Sequence, residues 1–396
     1  MIIRCKNLVL VLGGACAVMA LAMLAVLLKY GSINPPPSSR GGDIAALLER
    51  PERISLPPGF SFSVFAEGLG QPRLMQQTPQ GDVIVSSYRD GTILLVKSDA
   101  DGDGRSDGTT VLAEDLSDPH GLVLEGEYLY VAERHQVTRY RFNGTALAEP
   151  NIILKGLPDD DGHDSRTLKR GPDGYFYLST GSSCNACIES HPWRATIIRF
   201  REGEAPTVFA SGLRNTVGFD WHPQTGALYG VENSRDNLGD DVPDDELNEI
   251  KQGKHYGWPF VHGYNISDPE LAASAPEGLA FENPKHGFGA HHAPLAIRFL
   301  RHQGDALLAG SALVSEHGSW NRSNRVGYRV MRQSLESPQD PSVFMAGCLR
   351  DEEVFCRPVD ILESALKATC GTLYISDDFT GAIYRIAPQT NSPDSC

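Results

Sequence analysis

Positive charge is scarce in this chain: 35 lysines and arginines stand against 50 aspartates and glutamates, for a formal net charge of −15. Nucleic-acid backbones are held by basic faces, so that class of partner is excluded. No Gly-x-Gly-x-x-Gly follows a candidate strand, which sets aside a nicotinamide dinucleotide. The sole C-x-x-C is Cys184-Asn-Ala-Cys187, followed by Ile188. Covalent haem attachment would need a histidine there, and a four-cysteine zinc site would need a second such pair. Helical periodicity all but vanishes after Leu56, and long apolar runs are missing except for one, Leu8 to Leu28.

That run is close to the ~20 residues that cross a bilayer as a helix. It is longer than the apolar centre of a cleavable signal. Arg4 and Lys6 precede it, and basic residues stay on the cytoplasmic side, so the remainder of the chain is expected to be periplasmic. The reading is an inner-membrane anchor over residues 1–30, with a cleaved signal as the alternative, then a Pro/Ser/Gly linker over 31–55 and a domain over 56–388. Residues 389–396 form a tail. Six cysteines lie outside the anchor, and an even number in an exported domain favours disulfides. Cys348 with Cys356 closes a short loop, and Cys370 with Cys396 ties down the tail. Cys184 and Cys187 read as a tight disulfide, with a redox dithiol or half a zinc site as alternatives.

The domain repeats. Six segments share an apolar strand, a Gly/Asp turn, an aromatic-rich strand and a strand ending in an apolar-basic pair. They begin near Gln71, Pro119, Arg166, Arg214, Pro294 and Arg357. The first four starts lie roughly 47 residues apart, a period that means propeller blades. The expected fold is an all-β, six-bladed β-propeller with an N-terminal transmembrane or signal helix. A propeller gathers equivalent strand starts at one mouth of its channel, so Arg73, His120, Arg166, Arg214 and Arg357 converge there. Such a mouth suits an anionic ligand. His163, just ahead of Arg166, is suited to remove a proton near neutral pH.

The segment Asp99-Ala-Asp101-Gly-Asp103-Gly-Arg-Ser-Asp107 places carboxylates at alternate positions with glycine after the third, as calcium loops do. Thr110 stands where such a loop would end in glutamate. The readings are a structural calcium or an acidic turn without one.

His163-x-x-Arg166 before GPDGYFYLSTG, GLRN before DDELN and YGWP, and Arg357-Pro-Val-Asp360 occur in this order. Together they resemble the soluble aldose and sorbosone dehydrogenases, six-bladed propellers that use pyrroloquinoline quinone. His317-Gly-Ser-Trp-Asn321-Arg322 resembles the sorbosone-type branch. The resemblance implies oxidation of an aldose or sugar aldehyde, with electrons passing to a separate acceptor. It makes His163 the general base, Asp245 the carboxylate that orients it, and Arg214 the stabiliser of charge on the quinone. Arg166, Asn215 and Arg357 would hold the cofactor, with Arg322 or His317 in place of a fifth-blade lysine. Calcium would lie against backbone oxygens of Ser234 and Arg235, with Glu246 serving a nearby calcium. Val359 replaces the family's second arginine, and Asn233-Ser-Arg-Asp236 replaces a Gly-Pro pair. Two other functions fit the same fold: a calcium-dependent lactonase-type hydrolase and a non-catalytic binding propeller.

Overall fold

A computed structural model describes residues 18–24, 42, 44–301, 308, 310–334 and 341–389. It contains six four-stranded antiparallel sheets, which makes the domain a six-bladed propeller. The innermost strands are Pro72–Gln77, Leu122–Glu125, Leu168–Arg170, Thr216–Trp221, Pro294–Phe299 and Pro358–Glu363. Each starts within a few residues of a repeat boundary read from the sequence. The ring closes by pairing its first strand with its last: Phe60 faces Pro388, Phe62 faces Ile386 and Val64 faces Tyr384. Joining the two ends in one blade leaves no open seam at which the ring could fray.

Middle strands read as continuous apolar runs because both their faces are covered. Val83–Ser87, Phe176–Thr180 and Leu373–Asp377 are buried throughout. The outermost strand of the first blade, Thr109–Ala113, exposes its first three residues. Between blades the core is aromatic and aliphatic. Phe176 stacks on Phe200 at 5.4 Å, packed with Tyr130, Leu178 and Ile198. Serines at one phase of the repeat stitch neighbouring blades: Ser86 Oγ donates to His120 O, Ser315 Oγ to Val359 O and Ser376 Oγ to Arg73 O. A buried hydroxyl needs such a partner.

The expected linker is shorter than 31–55. Leu47, in the short helix Ile44–Glu49, is fully buried and packs with Ile54, Phe344 and Tyr384. Ser55 and Ala346 exchange backbone hydrogen bonds, so these residues belong to the propeller's outer shell. The anchor read over residues 1–30 lies, apart from 18–24, outside the described residues. No helix among the described residues is long and apolar enough to cross a membrane. Disulfides join Cys184 to Cys187 and Cys348 to Cys356, as expected. Cys370 is disulfide-bonded too, while Cys396 lies outside the described residues.

Candidate functional site

At one mouth of the channel the strand starts surround a cavity of about 220 Å³. Arg73, Arg214, Arg357, His163, Asn215 and His317 all line it. The convergence read from repeat phase therefore holds for Arg73, Arg214 and Arg357, with His163 beside them, and not for His120 or Arg166. Trp320, 41% exposed, stands at the rim.

His163 is positioned from its Nδ1 side. Ser182 O and Oγ both lie 3.1 Å from that nitrogen. A carbonyl only accepts, and the Ser182 hydroxyl proton is already given to Cys184 O at 2.6 Å. Nδ1 must therefore carry the hydrogen, which leaves the lone pair on Nε2. Burial, with Arg214 beside it, pushes the ring's pKa down to about 3, so the imidazole is neutral at neutral pH. Gly181 makes room for it: a Cβ there would come within 2.5 Å of the His163 Cβ and 2.9 Å of the Asn215 Oδ1.

Arg214 is saturated by protein oxygens. Its Nε donates to Asn185 O (3.0 Å) and its Nη1 to Asn233 O (3.0 Å) and Ser234 O (2.8 Å). Its Nη2 donates to Asn185 Oδ1 (3.1 Å) and Asp236 Oδ2 (2.9 Å). A guanidinium has five N–H donors, and here each has an acceptor. Arg214 thus acts on a ligand as a fixed charge. The side-chain amide of Asn215, by contrast, lines the cavity, and its backbone N–H is anchored on Glu232 at 2.7 Å.

Asp245, the carboxylate expected behind His163, lines the same cavity, but its oxygens are taken by the backbone. Asp245 accepts from the backbone N–H of Ser234 (2.8 Å) and of Ala293 (2.7 Å), so it braces the 233–236 turn against the fifth blade. Among the histidines that line the cavity, His317 has a carboxylate behind it: its Nε2 meets Asp378 Oδ1 at 2.8 Å. The other oxygen of Asp378 lies 3.5 Å from Arg73 Nε. Burial opposes ionisation of Asp378, yet His317 and Arg73 hold its pKa well below the usual carboxylate range. Arg357 grips the same loop through His317 O (3.1 Å) and Gly318 O (3.2 Å).

Arg166 and Arg322 take different places from those expected. Arg166 is fully buried and spends its guanidinium on the carbonyls of Arg134, His163, Ser165 and Pro158, which fixes the loop bearing His163. Arg322 turns to Asp240 O and Asp241, outside the cavity lining. The Arg235 guanidinium pairs with Asp268. Glu246 accepts from Asn248 Nδ2 (3.0 Å) and Gly263 N (2.7 Å). Glu246 and Arg235 line a separate small cavity of about 20 Å³ behind the site, together with Glu232. His120 is also fully buried and absent from the lining. In the acidic loop, carboxylate oxygens of Asp99, Asp101 and Asp107 lie within 4.8 Å of one another, while Asp103 accepts from Arg105 N at 2.7 Å.

Residues missed by the sequence reading include Asp236, Asn321 and Asp378. Asn321 donates to Asp236 Oδ1 at 2.8 Å, and its own Oδ1 is buried without a partner. Its position in the His317–Arg322 motif was the available signal.

Three buried carboxyls give the site a pH signature. Burial pushes Glu232 up to about 8 and Asp245 and Glu246 up to about 7. In the unfolded chain such groups ionise near 4. The native state therefore holds extra protons up to these values, and the stability this contributes is lost as pH rises through 7 to 8. The melting temperature is expected to fall between pH 6 and pH 9. Glu232→Gln should reduce that fall, since an amide cannot ionise; an unchanged slope in pH-dependent melts would show that Glu232 is not its source.

A family model described as TrAA12-like matches residues 54–260 and 276–389. The chain is 25% identical over 385 residues to the pyrroloquinoline quinone-dependent sugar dehydrogenase of Hypocrea jecorina (strain QM6a), covering 82% of this chain and 87% of that protein. Its fold is similar to that of the Trichoderma reesei Carbohydrate-Active Enzymes Family AA12 iodide structure, with a TM-score of 0.72 at 21% identity over 85% of this chain and 97% of that one. The holo form of the pyranose dehydrogenase PQQ domain from Coprinopsis cinerea gives a TM-score of 0.70 at 18% identity, over 84% and 97%. With most of its length matched by one family model, this chain belongs to the TrAA12-like family.

Proposed function

We propose that the chain is a pyrroloquinoline quinone-dependent dehydrogenase that oxidises a sugar, an aldose or sugar aldehyde, at the channel mouth. The observation that carries this is the joining of three arginines, a neutral histidine and an exposed tryptophan around one cavity of a −15 protein. The dehydrogenase relative, similar over most of both chains, supports it.

The residues present fit such a cofactor. Its carboxylates match Arg73 and Arg357, and its planar rings match the exposed face of Trp320. For calcium, the donor chemistry is right but shifted from the expected residues. Ser234 O, the Asp236 carboxylate and the unpartnered Asn321 Oδ1 offer oxygen ligands in the cavity lining, whereas Arg235 and Glu246 do not line it. Ser234 O already accepts one hydrogen bond from Arg214, and a carbonyl has a second lone pair to give.

When bound, the quinone supplies the two-electron acceptor for hydride from the sugar carbon. The chain supplies the rest. Nε2 of His163 takes the hydroxyl proton of the substrate as the carbonyl forms. Arg214, fixed by its five bonds, stabilises developing negative charge without reorganising. Asn215 orients the ligand with its free amide. His317, held on Asp378 through Nε2, presents Nδ1 to the ligand. The disulfides accord with an oxidising compartment, and periplasmic placement with an N-terminal membrane anchor goes with this proposal. So does a separate electron acceptor. The test is dye reduction by the protein reconstituted with quinone and calcium, across aldoses and sugar aldehydes. Sugar-dependent reduction is expected; lactone hydrolysis without any dye reduction would favour a hydrolase.

A further inference from the structure

The C-x-x-C motif is part of the site's construction. Asn185, inside the segment that the Cys184–Cys187 disulfide closes, makes contact after contact with the catalytic arginine and its neighbours. Its backbone O accepts from Arg214 Nε at 3.0 Å and from Trp258 Nε1 at 3.1 Å. Its Oδ1 accepts from Arg214 Nη2 at 3.1 Å and from Asp236 N at 2.7 Å, while its Nδ2 donates to Asp236 O at 3.0 Å. One residue thus fixes both Arg214 and the backbone of Asp236, whose carboxylate pairs with that arginine. The same segment reaches His163, because Ser182 Oγ bridges Cys184 O and His163 Nδ1. On the other side, Glu189 accepts from Ser183 N (2.7 Å) and Oγ (2.8 Å), which shuts the loop.

We propose that Asn185 is the positioning residue for Arg214 and that the Cys184–Cys187 disulfide holds it in register, so that reducing this bond reversibly weakens the grip on the anionic quinone. The inference rests on the cofactor reading above. No residue of the segment 183–188 belongs to a strand. A short segment without ladder hydrogen bonds relies on its cross-link to limit the conformations open to it. Once open, the loop must be ordered each time Arg214 is to be held. Reagent access separates the disulfides only in part, because the disulfide-bonded Cys370 is half-buried as well. Cys184 and Cys187 are half-buried, whereas Cys348 and Cys356 have no exposed surface. A dithiol reductant gives its two electrons and two protons to the Cys184 and Cys187 sulfurs and leaves as its own cyclic disulfide.

The test measures quinone affinity, by tryptophan fluorescence quenching, before reduction, after mild dithiol treatment and after reoxidation. Mass spectrometry of alkylated peptides identifies which cysteines have opened, and a Cys370→Ser protein treated in parallel keeps the Cys370 bond out of the readout. The dissociation constant is expected to rise about tenfold and to return on reoxidation, the loss of about one charge-assisted hydrogen bond. Asn185→Ala should raise it at least as much with the disulfide intact, and should shift the absorption maximum of the bound quinone, which a merely structural loop would not do. A Cys184→Ser/Cys187→Ser protein should match the reduced protein and ignore reductant; if it does not fold, the reduction and Asn185→Ala arms decide. An unchanged dissociation constant with both thiols free overturns the inference alone. An oxidised protein that binds no quinone overturns it together with the cofactor reading.

Discussion

Replacing His163 with alanine is expected to lower kcat by about 10² to 10⁴, the usual worth of a positioned general base, while quinone affinity stays within about threefold. The size follows from the geometry. Nδ1 is committed to Ser182, so Nε2 is the ring's one available lone pair, and the ring lines the cavity in its neutral form. Removing it leaves the substrate hydroxyl proton to water. Affinity survives because the arginines and His317 stand on other blades. Added imidazole should restore part of the rate. Steady-state kinetics paired with cofactor titration checks this, and undiminished turnover would remove His163 from the mechanism.

Arg214→Lys is the second large effect. Lysine keeps the charge but loses the fork that five acceptors surround, so these changes are not conservative at such a site. Asn185, Asn233, Ser234 and Asp236 would then share three rotatable donors. Turnover is expected to fall about 10² to 10³, the range for losing one preorganised stabiliser of transition-state charge. Some melting temperature should be lost too, because the buried carbonyl and carboxylate oxygens are left short of donors. A variant with wild-type turnover and wild-type affinity would show that charge at this position is not used. The lysine should retain more affinity than Arg214→Met, since a cation still faces the anion.

Repeat phase made much of this legible. Six strand starts at equivalent positions predicted one channel mouth, and Arg73, Arg214, Asn215, Arg357 and His163 meet there. Phase gives the position of a backbone, however, and not the direction of a side chain. Arg166 shares the phase yet turns back into the scaffold, where four carbonyls need a donor. Partners of a histidine are harder still. Asp245 was paired with His163 by resemblance, but two backbone N–H groups claim its oxygens. Asp378 lies in SDDFTG, a stretch that reads as an ordinary turn, and only the packing of the sixth blade beside the fifth brings it to His317. Asn185 was equally silent, because a C-x-x-C draws attention to its cysteines and not to what they hold. The linker was overextended for a related reason: one buried leucine, Leu47, leaves too little periodicity to register.

The central claim is that this mouth holds pyrroloquinoline quinone. Its most direct test is equilibrium titration of the disulfide-intact protein with the quinone in the presence of calcium, followed by quinone absorbance and tryptophan fluorescence. Saturable binding at one quinone per chain, weakened by Arg357→Ala and by Arg73→Ala, is the result predicted. Absence of saturable binding, or binding indifferent to both arginines, would contradict it.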